Sequence, residues 1–129
     1  MKHLLVRIKT LDSNSKFEID NAEVFSTDKI LYIQYIEPTS KANVLVSFDA
    51  QGVNIERTSE ESKTIIQCAL NRKTQATMRT PYGEQFFEVK TQEIINTKDS
   101  LTVNYELYTG DLLIQKAQVY YQYNERGLN

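Results

Sequence analysis

Few residues in this chain are of types that do chemistry, and they are scattered. There is one histidine, His3, and one cysteine, Cys68. A zinc or other transition-metal site draws on several His or Cys ligands, so no metal site is expected. A cysteine nucleophile needs a base such as histidine within hydrogen-bond reach. Cys68 instead shares a strand face with Ile66 and Leu70, and it reads as a small buried hydrophobe. A serine–histidine pair meets the same shortage of histidine. Glu18, Asp20 and Glu23, or Glu60 and Glu61, could supply paired carboxylates. Both groups fall in or beside turns, where solvated charge is the ordinary outcome. The 4 glycines are too scattered to build a phosphate-cradling loop. No catalytic residue, cofactor site or metal ligand is assigned. An enzyme using carboxylates and tyrosines stands third among the readings, because histidine is the usual proton-transfer group.

Arg57 is the most informative single residue. It alternates in step with Val53 and Ile55, which places its charge on an otherwise apolar face. A charge there must be paired or must reach solvent at the end of the element. One reading makes Arg57 an anchor for a ligand carboxylate or phosphate. The other makes it a structural arginine closing one end of the fold over strand carbonyls and an aromatic, and its place at a strand end favours that role. Arg79 faces the same choice, but its face neighbours Gln75 and Thr77 are polar, so it is expected to point to solvent. Tyr35, Tyr105 and Tyr121 share parity with apolar interior residues. They either fill the interior, each hydroxyl finding a partner, or line a cavity whose few polar groups orient a ligand. Tyr32, Ile36 and Tyr120 have outward parity and could form an apolar surface patch.

The elements that carry these residues are strands. Leu4, Val6, Ile8 and Thr10 alternate with Arg7 and Lys9 up to the polar turn cluster Asp12-Ser13-Asn14-Ser15. From Lys16 to Ser26 the apolar parity switches between Phe17/Ile19 and Ala22/Val24. That switch predicts a β-bulge or sharp bend at Asp20–Asn21, with a helical turn as the alternative. Leu31, Ile33 and Tyr35 form one face of a strand that Pro38 ends. Alternation then continues through Val44–Phe48, Val53–Arg57, Ile66–Leu70 and Ala76–Thr80, with Asn71 a candidate for left-handed backbone. Thr80-Pro81-Tyr82-Gly83 reads as a tight turn, with Pro81 presetting its second position and Gly83 at its fourth. The long strand after it places Phe87, Val89, Thr91 and Ile95 on one parity. Leu101, Val103, Tyr105 and Leu107 follow, then a Gly110-Asp111 hairpin. The last strand puts Leu113, Ala117, Val119, Tyr121 and Tyr123 on one face, and residues 124–129 read as a polar tail.

About ten short strands with no convincing helix mean a sandwich or a barrel. The connections are short, which joins antiparallel neighbours, and no loop is long enough for a Greek-key crossover. The expected fold is all-β: an antiparallel up-and-down barrel of about 8–10 strands, forming one domain over residues 1–129. The net charge of −2 and the lack of any Lys/Arg cluster argue against a nucleic-acid binder. No run approaches the ~18 apolar residues of a membrane helix, and the N-terminal apolar run is too short for a signal peptide, so no membrane insertion is expected. With a single Cys implying no oxidising compartment, the default location is cytoplasmic.

Three places in the chain resemble the YwiB-like family of uncharacterised bacterial proteins. They are the Thr80-Pro81-Tyr82-Gly83 turn with its long strand to Lys90-Thr91, the aromatic strand Ile30–Glu37, and the strand Val53-Asn54-Ile55-Glu56-Arg57. Thr58 and Ser59 stand where the family tends to have a glycine, and Met78 where it often has an aromatic. The resemblance implies a calycin, or lipocalin-like, barrel and little chemistry. The leading expectation is a non-enzymatic module that binds a small apolar or amphipathic molecule, with no cofactor. Arg57 would be the anchor and Tyr35, Tyr105 and Tyr121 the wall of a pocket of at least ~300 Å³. The alternative is a filled barrel acting through its outer surface, as a homodimer or a protein-interaction module.

Overall fold

A computed structural model describes residues 2–125. Among them it has ten strands and no helix: β1 (Lys2–Thr10), β2 (Asn14–Ser26), β3 (Leu31–Ile36), β4 (Asn43–Asp49), β5 (Gly52–Thr58), β6 (Lys63–Cys68), β7 (Thr74–Thr80), β8 (Gly83–Asn96), β9 (Ser100–Thr109) and β10 (Leu112–Glu125). Each strand pairs antiparallel with its neighbours in the chain, and β1 pairs with β10, closing the barrel. This is the up-and-down barrel that short connections demand. The polar tail reads differently at its start, since Asn124 and Glu125 continue β10 opposite His3 and Lys2. Its remaining residues, 126–129, lie outside the described residues.

The turns follow their residue types. Thr80 pairs with Gly83 across Pro81–Tyr82, and the Thr80 hydroxyl accepts the Tyr82 N–H at 3.1 Å. Gly110 has φ 61° and Asn71 has φ 67°, both left-handed. Gly52, at φ 135°, is held more strictly. A Cβ there would stand 2.0 Å from the Cys68 carbonyl oxygen, so β5 can pass β6 only as glycine.

The parity switch in β2 is a bulge. Lys2 and Leu4 face Ala22 and Ile19, so β2 spends one extra residue at Asp20–Asn21, and no helical turn forms. Two further bulges change faces that simple alternation assigns differently. In β8 the register shifts at Gln92. Ile95, expected beside Phe87 and Val89, is therefore 44% exposed, and Ile94 packs on the core in its place. In β10 the extra residue is Ile114, and Leu113, expected on the face of Ala117 and Val119, is turned outward and 37% exposed.

The core fills the barrel lumen. Leu4, Val6, Leu31, Ile33, Val46, Val89, Leu101, Val103 and Tyr121 are almost wholly buried. All are inward-parity residues of their strands, as a filled small barrel requires. Replacing Gly52 by alanine is expected to destabilise the protein by about 2 kcal/mol or more, since backbone strain adds to a clash with a fixed carbonyl. Gly110→Ala, where nothing lies within 4 Å of the added Cβ, is expected to cost about 1 kcal/mol. Urea midpoints of the two variants check this, and equal losses would contradict it.

Candidate functional site

Register brings the inward residues of five strands into one row. Tyr35 on β3 faces Val44 on β4, which faces Arg57 on β5, then Thr64 on β6 and Met78 on β7. Tyr105 and Tyr121 reach the same region from β9 and β10. The Tyr35 and Tyr121 rings are tilted, with centroids 6.2 Å apart, and Phe17 packs on the other side of Tyr35 at 6.1 Å. Between these side chains lies a cavity of about 140 Å³ at the mouth of the lumen. Tyr35, Arg57, Tyr105 and Tyr121 all line it, together with Glu37, Thr64 and an apolar wall that includes Ile8, Val44 and Ile55. The four residues singled out by parity therefore converge. The space between them is under half of the expected ~300 Å³, because the Phe17, Tyr35 and Tyr121 rings fill much of the lumen.

Glu37 is the residue that alternation did not single out. It stands just beyond β3, and the loop to β4 folds it back: Glu37 N–H bonds to the Ala42 carbonyl at 2.9 Å, and Lys41 takes φ 65° to make the turn. Arg57 donates from Nε to Glu37 Oε1 at 3.1 Å and Oε2 at 3.2 Å, and from Nη2 to Oε1 at 2.8 Å. Arg57 Nη2 also reaches Ser40 Oγ at 3.3 Å, and Ser40 donates to the same carboxylate. The Arg57 side chain is 39% exposed and that of Glu37 15%. Arg57 is thus both paired and in reach of water, the two ways an inward charge at a strand end can be tolerated. A detectable signal was the demand of that inward charge for a counter-charge, with Glu37 two residues beyond Tyr35 in the sequence.

Electrostatics follow from this geometry. Burial works to raise the Glu37 carboxyl, but hydrogen bonds from Arg57 and Ser40 and the Arg57 charge outweigh it, and its pKa falls below the usual value. Arg57 is raised by its hydrogen bonds to Glu37, against burial. Burial pushes the phenols of Tyr35, Tyr105 and Tyr121 upward, so all three are neutral at ordinary pH. Burial also pushes the Cys68 thiol up to about 12, although the Thr91 hydroxyl pulls the other way.

The remaining candidates lie elsewhere. His3 is on the outer face of β1–β2, with Nε2 2.8 Å from Glu18 Oε1 and Nδ1 3.1 Å from Asp20 Oδ1. Hydrogen bonds to these carboxylates raise its pKa. Arg79 is exposed and pairs with Glu84 at 3.3 Å. Tyr32 stands opposite Phe25 and Ser47, Ile36 is at the other end of β3, and Tyr120 is on β10 with the Arg7 guanidinium 5.3 Å from its ring centre. Strand pairing does not bring these three together. Larger depressions of about 430, 450 and 530 Å³ lie elsewhere among the described residues; the 530 Å³ one is lined by Tyr105 and Ala117 together with Thr10, Leu11 and Gln92, and none of the three includes Arg57, Tyr35 or Tyr121. The interior cavity is smaller, but it is where buried polar groups converge within an apolar wall, the arrangement that orients a ligand.

With a closed ten-strand barrel and this mouth in place, the protein can be classified. The family model described as domain of unknown function DUF1934 matches residues 4–125, and the chain belongs to that family. The chain is also similar to a solved structure, the ywiB protein from Bacillus subtilis, with a TM-score of 0.63 over 95% of this chain and 89% of that one. At 15% identity that likeness shows the fold alone. No curated protein matches the chain. The resemblance to the YwiB-like family and its barrel fold therefore holds.

Two measurements follow from the mouth and the core. Because Glu37 is lowered in the folded state, its ionised form adds stability above the unfolded carboxyl pKa, and that stability is lost as pH falls through the folded value. Glu37→Gln should therefore be less stable than the wild type by about 1 kcal/mol at pH 7, allowing for the exposure of Arg57. The gap should close in acid below pH ~4. Denaturant titrations at several pH values check this, and a pH-independent gap would contradict it. Cys68, 2% exposed, should resist a water-soluble thiol reagent at pH 8 in the native protein and react at once in denaturant.

Proposed function

We propose that this barrel is a non-enzymatic binding module that takes a small apolar or amphipathic molecule, about the size of one aromatic ring, into the mouth of its lumen. The observation that carries the reading is the convergence of Tyr35, Tyr105, Tyr121 and Arg57 on one cavity of about 140 Å³ with a mainly apolar lining. An apolar protein cavity of about 150 Å³ is known to bind benzene, so this volume suits a ring-sized guest rather than a lipid-sized one. The tyrosine hydroxyls offer neutral donors and acceptors at the wall, which suits an amphipathic guest. The one thiol is held protonated in the core and the one imidazole is engaged on the outer wall. Neither faces the cavity, and that supports binding over catalysis.

Native mass spectrometry of protein isolated gently from its own cells tests the reading. The expected result is a retained molecule of about the mass of a substituted benzene. Val44→Phe, which puts a ring into the cavity from the middle of the Tyr35–Arg57 row, should abolish retention while the barrel stays folded. Equal retention by both proteins would place the guest elsewhere and defeat the proposal.

A further inference from the structure

The charge balance of the mouth narrows the chemical class of ligand. Arg57 commits both Nε and Nη2 to Glu37, and Nη2 to Ser40 as well. The carboxylate that a ligand could bring to Arg57 is thus already supplied by the protein. Glu37 is also the more deeply set of the two, at 15% exposure against 39%. An anionic guest would lie beside the Glu37 carboxylate, a like charge, and would lose water without a counter-charge to replace it. A neutral guest meets neither cost. Its polar atom can bond to the Tyr105 hydroxyl, or to the capacity left at Tyr35 and Tyr121, whose hydroxyls bond each other.

Resting on the cavity reading above, we propose that Glu37 is a built-in carboxylate that sets specificity. With the Nε–Nη2 edge of Arg57 engaged from within, the mouth admits an uncharged, ring-sized molecule bearing a hydroxyl or similar hydrogen-bonding group, and turns away anions of the same size. Arg57 is therefore not a waiting anchor for a ligand acid, and Glu37 is the residue that decides between the two classes.

Phenol and benzoate are matched probes, since each is one ring and they differ in charge at neutral pH. Titrations of each into the wild-type protein are followed by NMR through the methyl groups of Ile8, Val44, Ile55 and Val119. Phenol should shift these methyls saturably, and benzoate should bind at least about tenfold more weakly, the difference that 1.4 kcal/mol makes. Glu37→Gln leaves Arg57 without a carboxylate, and the preference for phenol over benzoate should fall by about tenfold or more. A double variant, Glu37→Leu with Arg57→Leu, removes both charges and should keep the preference for phenol. The wild-type comparison decides on its own if either variant fails to fold. Benzoate binding to the wild type as tightly as phenol, or an unchanged preference in folded Glu37→Gln, overturns the role of Glu37 while leaving the cavity occupied. No methyl response to either probe in any of the proteins overturns the cavity reading and the specificity together.

Discussion

The ladder between β1 and β10 is the constraint on which the rest of the structure depends. It runs without interruption from Lys2 opposite Glu125 to Thr10 opposite Ala117. Those two strands are the first and last among the described residues, and without their pairing the sheet would be an open meander with two exposed edges. Closing it joins residues more than a hundred positions apart, at a loop-closure cost that grows only slowly with length. In return, every inward side chain faces the same lumen. Val6 meets Tyr121 and Ile8 meets Val119 directly across this ladder. Tyr121, fully buried there, is the ring against which Tyr35 leans from the opposite arc. The cavity therefore exists only in the closed barrel, since Ile8 on β1, Tyr105 on β9 and Val119 and Tyr121 on β10 face a wall built from β3 to β6.

Much of this was legible because a strand has a period of two and a closed sheet has one inside. Alternation placed Leu4, Val6, Leu31, Ile33, Val44, Val46, Val53, Leu101 and Val103 inward, and they are buried. It also found the β2 bulge, because Phe17/Ile19 and Ala22/Val24 cannot share a face without an extra residue between them. The bulges at Gln92 and Ile114 escaped for a physical reason. Each is bordered by adjacent apolar residues, Ile94-Ile95 in one case and Leu112-Leu113-Ile114 in the other, so either register presents an apolar side chain to the lumen. Hydrophobicity cannot choose between two faces that are both apolar. Only pairing with β9 resolves them.

The site was half legible for a related reason. Parity is a rule about strands, and it put Arg57, Tyr35, Tyr105 and Tyr121 on one surface from sequence spacing alone. Glu37 lies where that rule stops, one residue past β3 and just before Pro38. Its direction is set by the loop through Lys41 and Ala42, whose left-handed residue is a lysine rather than a glycine or asparagine and so gives little sequence signal. The size of the cavity was illegible as well. Whether aromatic rings line a space or occupy it depends on their tilt, and Tyr35 sits between Phe17 and Tyr121 at angles of 49° and 57°.

The chemistry of the mouth is best understood as a cancellation. An arginine on the inner face of a barrel would by itself be a strong field source, because low-dielectric walls concentrate its charge. Here Glu37 and Ser40 meet that charge within hydrogen-bond distance, and the neighbouring phenols are kept neutral by burial. The ion pair is only partly exposed, so it is neither a bare surface pair of little consequence nor a sealed one carrying the full desolvation cost. It ties the loop between β3 and β4 to β5 across the row formed by Tyr35, Val44 and Arg57. What is left inside is a mainly apolar space lined by three tyrosines and one ion pair. An inward-facing arginine at a strand end invites a carboxylate, and here the Nε–Nη2 edge of Arg57 already holds one, that of Glu37.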